Sequence, residues 1–187
     1  MIIAKIENGA VVETRTIPDN TPFAVHKGWR PLIEGNHPVL PRLCTLSVAD
    51  TVTPYQVTRS FGITWPTIAD AVTARIAEVD AMAARLRMRI CSGVSPAEMA
   101  SWATKESEAQ AYAVSTDPAT APRLAAEAGA RGVDLSVLAA KVMDKANALW
   151  AAEAAIAGHA GALTDRLRAL DSVAAVCAFD VDAGWPE

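Results

Sequence analysis

Apolar and polar residues alternate with period two at the start of the chain. Ile2, Ala4 and Ile6 interleave with Ile3 and Lys5, and Val11-Val12-Glu13-Thr14-Arg15 follows the dipeptide Asn8-Gly9. Asn and Gly tolerate the positive φ of a type I′ turn, so the segment predicts a β-hairpin. Proline then recurs at 18, 22, 31, 38 and 41. Each one fixes φ and removes a backbone donor, which predicts an ordered loop over 18–41 with at most a short strand. Residues 44–48 and 55–61 read as further strands, the second alternating Tyr55, Val57, Arg59 and Phe61 with Gln56, Thr58 and Ser60. Two to four strands make a small antiparallel region, marginal by itself at about 65 residues and therefore expected to pack on a partner or on helices.

Beyond that point the period changes to that of helices. Pro66 suits a first helical turn and Gly93 a left-handed stop, giving a helix over about 66–92. Ser95-Pro96-Ala97-Glu98 has the form of a capping box, with Ser95 accepting from the Glu98 N–H, and opens a second helix reaching about Val114. Asp117-Pro118 and Ala121-Pro122 punctuate a loop. A short helix carries Leu124 to Ala128, Gly129 and Gly132 close it, and Asp134 caps the last and longest helix.

That last helix holds the most regular pattern in the chain. Leu135, Val142, Leu149, Ile156, Leu163 and Leu170 are spaced by seven, and four residues after each come Ala139, Ala146, Glu153, Ala160, Leu167 and Ala174. Trp65, Val72, Val79 and Leu86, with Ala69, Ile76, Ala83 and Ile90, repeat the design in the first helix. Such heptad seams fit a bundle packing on itself, or a coiled-coil face offered to other chains in a homo-oligomer. Gly158 and Gly161 cost about 1 kcal/mol each in a helix interior and mark a break or a close approach by another backbone.

Composition sharpens the division. Alanine occurs 4 times in residues 1–65 and 35 times in 66–187, while 7 of the 11 prolines lie at or before Pro66. The expected fold class is therefore α+β: a β-rich docking domain over 1–64, then an alanine-rich helical bundle over 65–187. Charge divides as well, with 6 basic and 5 acidic residues before the break and 11 against 16 after it. The net charge of -4 opposes the basic footprint of a nucleic-acid binder. Arg85, Arg87 and Arg89 accordingly read as a solvated face or as partners of an acidic helix. No apolar run reaches the roughly 18 residues of a membrane helix, and the opening MIIAKIENG lacks the order of a signal peptide, so a soluble, unprocessed chain is expected.

Candidate chemistry is sparse. Cys44, Cys91 and Cys177 are odd in number, lie far apart in sequence and lack metal spacing, which fits free thiols in a reducing compartment. His26, His37 and His159 have no partner at i+3 or i+4 for a zinc pair, so surface or capping roles are expected. Asp180-Val181-Asp182-Ala183-Gly184 resembles a calcium loop only faintly, missing its third acidic ligand. No phosphate-binding, nucleophile-elbow or zinc-protease motif is present, so neither cofactor, metal nor enzyme activity is expected. Trp102, Tyr112 and Trp150 have the spacing of bundle core. Trp29, in Gly28-Trp29-Arg30-Pro31-Leu32, is either a local core anchor or a docking residue.

The order of features carries one resemblance. Ala4-Lys5-Ile6-Glu7-Asn8-Gly9-Ala10-Val11-Val12, then Gly28-Trp29-Arg30-Pro31-Leu32-Ile33-Glu34, resembles tail-fibre-associated proteins of tailed bacteriophages. Met99-Ala100-Ser101-Trp102-Ala103-Thr104-Lys105-Glu106-Ser107-Glu108-Ala109 and Gly129-Ala130-Arg131-Gly132-Val133-Asp134 are similar to the helical tail segment of the same small proteins. The resemblance implies a structural role at the tail tip, in a virion component made in the host cytoplasm, whose partners are other tail, baseplate or fibre proteins. A fibre assembly chaperone absent from the finished particle is the alternative within it. A ligand-binding module or enzyme with a pocket between its domains is the alternative outside it. Trp29, Leu135, Val142, Leu149, Ile156, Leu163 and Leu170 are the candidate interface residues.

Overall fold

A computed structural model describes residues 1–18 and 28–186. His26 and Pro22 lie outside the described residues, as does Glu187. The chain forms two compact units, one of Met1–Thr73 with Leu170–Phe179, the other of Ala74–Ala169 with Asp180–Glu187.

In the first unit, β1 (Ile2–Glu7) and β2 (Ala10–Thr16) make the expected hairpin, and Asn8 and Gly9 both take positive φ, 51° and 81°. β3 (Trp29–Glu34), β4 (Thr45–Val52) and β5 (Val57–Thr64) complete a five-stranded sheet in the order β2-β1-β3-β5-β4. The sheet is mixed rather than antiparallel, because β3 runs parallel to β5. It curls until β2 and β4, at opposite ends of the order, come into contact. A core of Ala4, Leu32 and Val57 fills the curl, with Ile2, Ile6, Val11 and Val52 packed against it.

Within 18–41, read as a loop with at most a short strand, residues 29–34 form that short strand, β3, which takes a central place in the sheet; 19–27 lie outside the described residues. β3 tolerates Pro31 because its two halves use different neighbours: Trp29, Arg30 and Pro31 pair with β1, whereas Leu32, Ile33 and Glu34 pair with β5. At Pro31 one edge has no ladder partner, so a residue without an N–H breaks nothing there.

α1 (Ile68–Ile90) starts two residues later than Pro66 suggests. Thr67 sets the start: its Oγ1 accepts from the Asp70 N–H at 3.1 Å and donates to the Asp70 carboxylate at 2.7 Å. α2 (Pro96–Ser115) begins at the expected cap, with Ser95 Oγ accepting from the Glu98 N–H at 3.2 Å, and ends at Thr116 in the left-handed region. After a 3₁₀ turn at Pro118–Thr120, α3 (Pro122–Arg131) runs through Gly129 and stops at Gly132, φ 64°. Only the second glycine is a stop. The α3 N-terminus is capped from α2, whose Glu108 Oε2 accepts from the Arg123 and Leu124 N–H groups at 3.0 and 2.9 Å. A carboxylate there also suits the positive end of the helix dipole.

α4 (Leu135–Arg168) is continuous over 34 residues, about 50 Å. Asp134 holds the cap position without a side-chain cap bond. The heptad series outruns the helix: α4 ends at Arg168, Leu170 falls in the connection, and Ala174 belongs to α5 (Val173–Ala178), which Ser172 starts by accepting from the Ala175 N–H. Ala109, Ala121, Leu124, Ala128, Leu138 and Ala139 join α2, α3 and the first half of α4, and Ala83, Leu86 and Ile156 join α1 to its second half with Trp185 alongside.

Gly158 and Gly161 do not break α4, and among the described residues of this chain an added Cβ at either would meet nothing within 4 Å beyond the helix itself. Alanine at either position should therefore stabilise the free protein by about 1 kcal/mol, read as a raised midpoint in chemical denaturation. A fall in that midpoint would show that another backbone lies against this face.

Candidate functional site

Alternation along β4 separates two chemistries. Thr45, Ser47, Ala49 and Thr51 face one side, opposite Thr64, Gly62, Ser60 and Thr58 of β5. This side is small and polar, with Ser60 Oγ donating to the Ala49 carbonyl oxygen at 3.1 Å. A Cβ at Gly62 would come within 2.7 Å of Ser47 Oγ, so a larger residue there would turn the Ser47 hydroxyl aside. The other side sets Leu46, Val48, Asp50 and Val52 opposite Ile63, Phe61, Arg59 and Val57. Val52 and Val57 belong to the core at one end of this face. Toward the other end the face opens, and Val48 is 52% and Leu46 36% exposed. His37 stacks on Phe61 there, ring centroids 3.8 Å apart.

Asp50 is the only charged residue of β4, and it is neutralised within the sheet. Arg59 donates from Nε and Nη2 to its two carboxylate oxygens at 2.8 and 2.9 Å, and its Nη1 lies 3.6 Å from Glu34 of β3. These bonds hold the Asp50 carboxyl below its ordinary range and tie three strands together. The resulting strand end is neutral and apolar on one face, and among the described residues it makes a ladder with β5 alone, although β2 comes into contact with β4 where the sheet curls. Seven of its eight residues are exposed, and its pairing to β5 is regular throughout. Long, regular edges of this kind invite a further strand unless proline, lysine or a bulge blunts them, and β4 contains none of these.

The sequence-derived candidates fall elsewhere. Trp29 lies in β3, half-buried, with the Arg15 guanidinium 5.1 Å from its ring centroid. Ile156 and Leu163 are buried, while Leu135 and Val142 are half-buried and pack on the α2–α3–α4 cluster. Leu149 and Leu170 are half-buried, Leu170 beyond the helix end. The expectation of core fails for Trp150, which is 60% exposed and donates from Nε1 to Glu106 at 3.1 Å. Trp102 and Tyr112 are half-buried, Tyr112 against the same cluster.

The arginine run divides: Arg87 pairs with Glu153 of α4, its Nη2 2.7 Å from Oε1, and Arg85 contacts the Met82 sulfur. His159 sits beneath the C-terminal segment, its Nε2 3.1 Å from the Ala183 carbonyl oxygen and its ring edge-on to Trp185. Asp180 Oδ1 accepts from the Asp182 N–H at 2.9 Å, a local turn in the segment that has the faint calcium-loop look. Among the described residues no cluster of histidine, cysteine and carboxylate could hold a metal.

Clefts indent the helical unit. One of about 450 Å³ is lined by Leu86, Arg89, Ile90, Ala152, Ile156 and Pro186, and one of about 250 Å³ lies between α2 and α4. The carboxylates held below their ordinary range, Asp50, Glu127 and Glu153, line neither; Lys105 depresses Glu127 first and Arg131 adds to it, while Arg87 depresses Glu153. Sequence reading missed the β4 edge because its signal, a short neutral strand, shows nothing about which strand ends the sheet. Comparison with family models, with curated proteins and with solved structures finds no match for this chain.

A depressed carboxylate contributes stability that is present above its unfolded pKa and lost as pH falls through its folded one. Unfolding free energy should thus decline as pH drops below about 4, and Asp50→Asn should flatten part of that decline in denaturant titrations. An unchanged acid slope in the variant would mean that the Asp50–Arg59 pair contributes nothing.

Proposed function

We propose that this protein is a non-enzymatic structural component of a tailed-phage tail tip, attaching or bracing fibres at the baseplate through protein–protein contacts. The observation that carries the reading beyond resemblance is the β4 edge, eight residues long, neutral in effect and exposed at Leu46 and Val48. Its occupant is an extended segment of a neighbouring tail protein. Main-chain bonds to β4 would give affinity, and apolar side chains at alternate positions would meet Leu46 and Val48. The continuous α4 helix, about 50 Å long, gives the same small protein a reach suited to bracing. Oligomerisation through the heptad-patterned helices belongs to this proposal.

Quantitative mass spectrometry of purified particles tests the role, with presence at a small multiple of three or six copies per tail expected. Abundance in the lysate with absence from particles would replace it by an assembly chaperone. The edge itself is tested by Val48→Lys, which blunts an exposed strand and should shift the melting point little. Incorporation into particles should fall about tenfold, the equivalent of about 1.4 kcal/mol; undiminished incorporation would remove β4 from the interface.

A further inference from the structure

The cleft of about 450 Å³ lies between α1 and the second half of α4, and Pro186 of the C-terminal segment completes its lining. Its floor is Ile156 and Leu86, 2% and 9% exposed, and its rim carries Ile90 at 37%. The segment that supplies Pro186 is pinned in place. Trp185 packs on the Leu86–Ile156 cluster and donates from Nε1 to the carbonyl oxygen of buried Val181 at 2.8 Å. His159 of α4 meets the same segment, edge-on to Trp185 and with Nε2 3.1 Å from the Ala183 carbonyl oxygen. The cleft is thus a formed feature of the fold, and its volume falls in the ~300–1,000 Å³ span of small-molecule sites.

Among the described residues, Arg89 is the only charged side chain in this apolar lining. Its neighbours in the arginine run are engaged, Arg87 with Glu153 and Arg85 with the Met82 sulfur, whereas Arg89 forms no ion pair or side-chain hydrogen bond among the described residues. Arg85, one turn earlier on the same face, has no carboxylate partner there either, so the positive potential beside the cleft is uncompensated. The α2–α4 cleft has no charged residue in its lining. An occupant that complements the first cleft is apolar with one negative end. An extended peptide would bring N–H and C=O groups that walls of Leu, Ile, Ala and Pro leave unpaired, whereas an alkyl chain brings none. Because Arg89 is exposed, an anionic head could pair with it while staying in contact with water. A guanidinium offers paired N–H donors that match a carboxylate.

We propose that this cleft binds a medium-chain aliphatic carboxylate, its alkyl chain against Leu86, Ala152 and Ile156 and its carboxylate on Arg89. The inference goes beyond the tail-tip reading and does not depend on it.

The test titrates decanoate calorimetrically into the full chain at neutral pH and low salt, with decanol as the uncharged counterpart. One site is expected, with a raised melting point and an affinity that falls as salt rises. Arg89→Gln should weaken decanoate about tenfold and leave decanol unchanged, while Arg89→Lys keeps most of the affinity. Ala152→Phe, which fills the cleft, should abolish binding of both; Ile90→Ser, at the exposed rim, should weaken both and replaces it if the larger side chain prevents folding. Absence of decanoate binding at millimolar concentration, or equal binding by the protein and Arg89→Gln, would overturn the proposal. So would binding that survives Ala152→Phe, which would place the anion on the arginines outside the cleft. A dimer of the free protein that Ala152→Phe disperses would give the cleft to a second copy instead and overturn it as well.

Discussion

Close approach of helix backbones at alanine is the constraint on which the helical unit depends. Ala109, Ala121, Ala128 and Ala139 are all at most 4% exposed and surround Leu124 and Leu138. A methyl group removes little apolar area from water, so stabilisation at such contacts comes largely from the dispersion gained when neighbouring atoms pack closely. The same closeness leaves no room for a larger residue. α3 shows the dependence most clearly. At ten residues it is too short to persist alone, and α2 supplies both its packing surface and, through Glu108, the acceptor for its first N–H groups.

The sheet solves a different problem with few residues. Curling brings Ala4, Leu32 and Val57 around one small core, and β3 divides its hydrogen bonding between β1 and β5 to connect the hairpin to the outer pair. Arg59 reinforces that connection by bonding Asp50 and approaching Glu34 across three strands. The apolar face has interior at one end and surface at the other. An edge strand built in this way is stable within its own chain and still has hydrogen-bonding capacity to offer. That combination would suit the attachment role proposed above.

What could be read from the sequence was local chemistry with a single physical cause. Asn8-Gly9 needed positive φ, Ser95 needed to accept from Glu98, and Gly132 needed the left-handed region; all three do so. The misreadings arose where a local rule met a non-local arrangement. Five prolines indicated a loop with at most a short strand and gave no sign that this strand would be central, with Pro31 where β3 has no partner on one edge. Pro66 drew attention from Thr67 and Asp70, which set the start of α1. The seven-residue series carried past Arg168 because Leu170 keeps its phase after the helix has ended, and only the Ser172 cap marks the restart. The position of β4 at the sheet edge has no sequence signature, since it depends on which distant segments the fold makes neighbours.

Hydrogen exchange at the β4 amides, compared between the isolated protein and intact particles, tests most directly whether this edge is an attachment site. The N–H groups on the outer side of β4 should exchange quickly in the free protein and become strongly protected in the particle, while those already bonded to β5 change little. Equal exchange of the outer amides in both states, with the protein demonstrably present in the particle, would contradict attachment through β4.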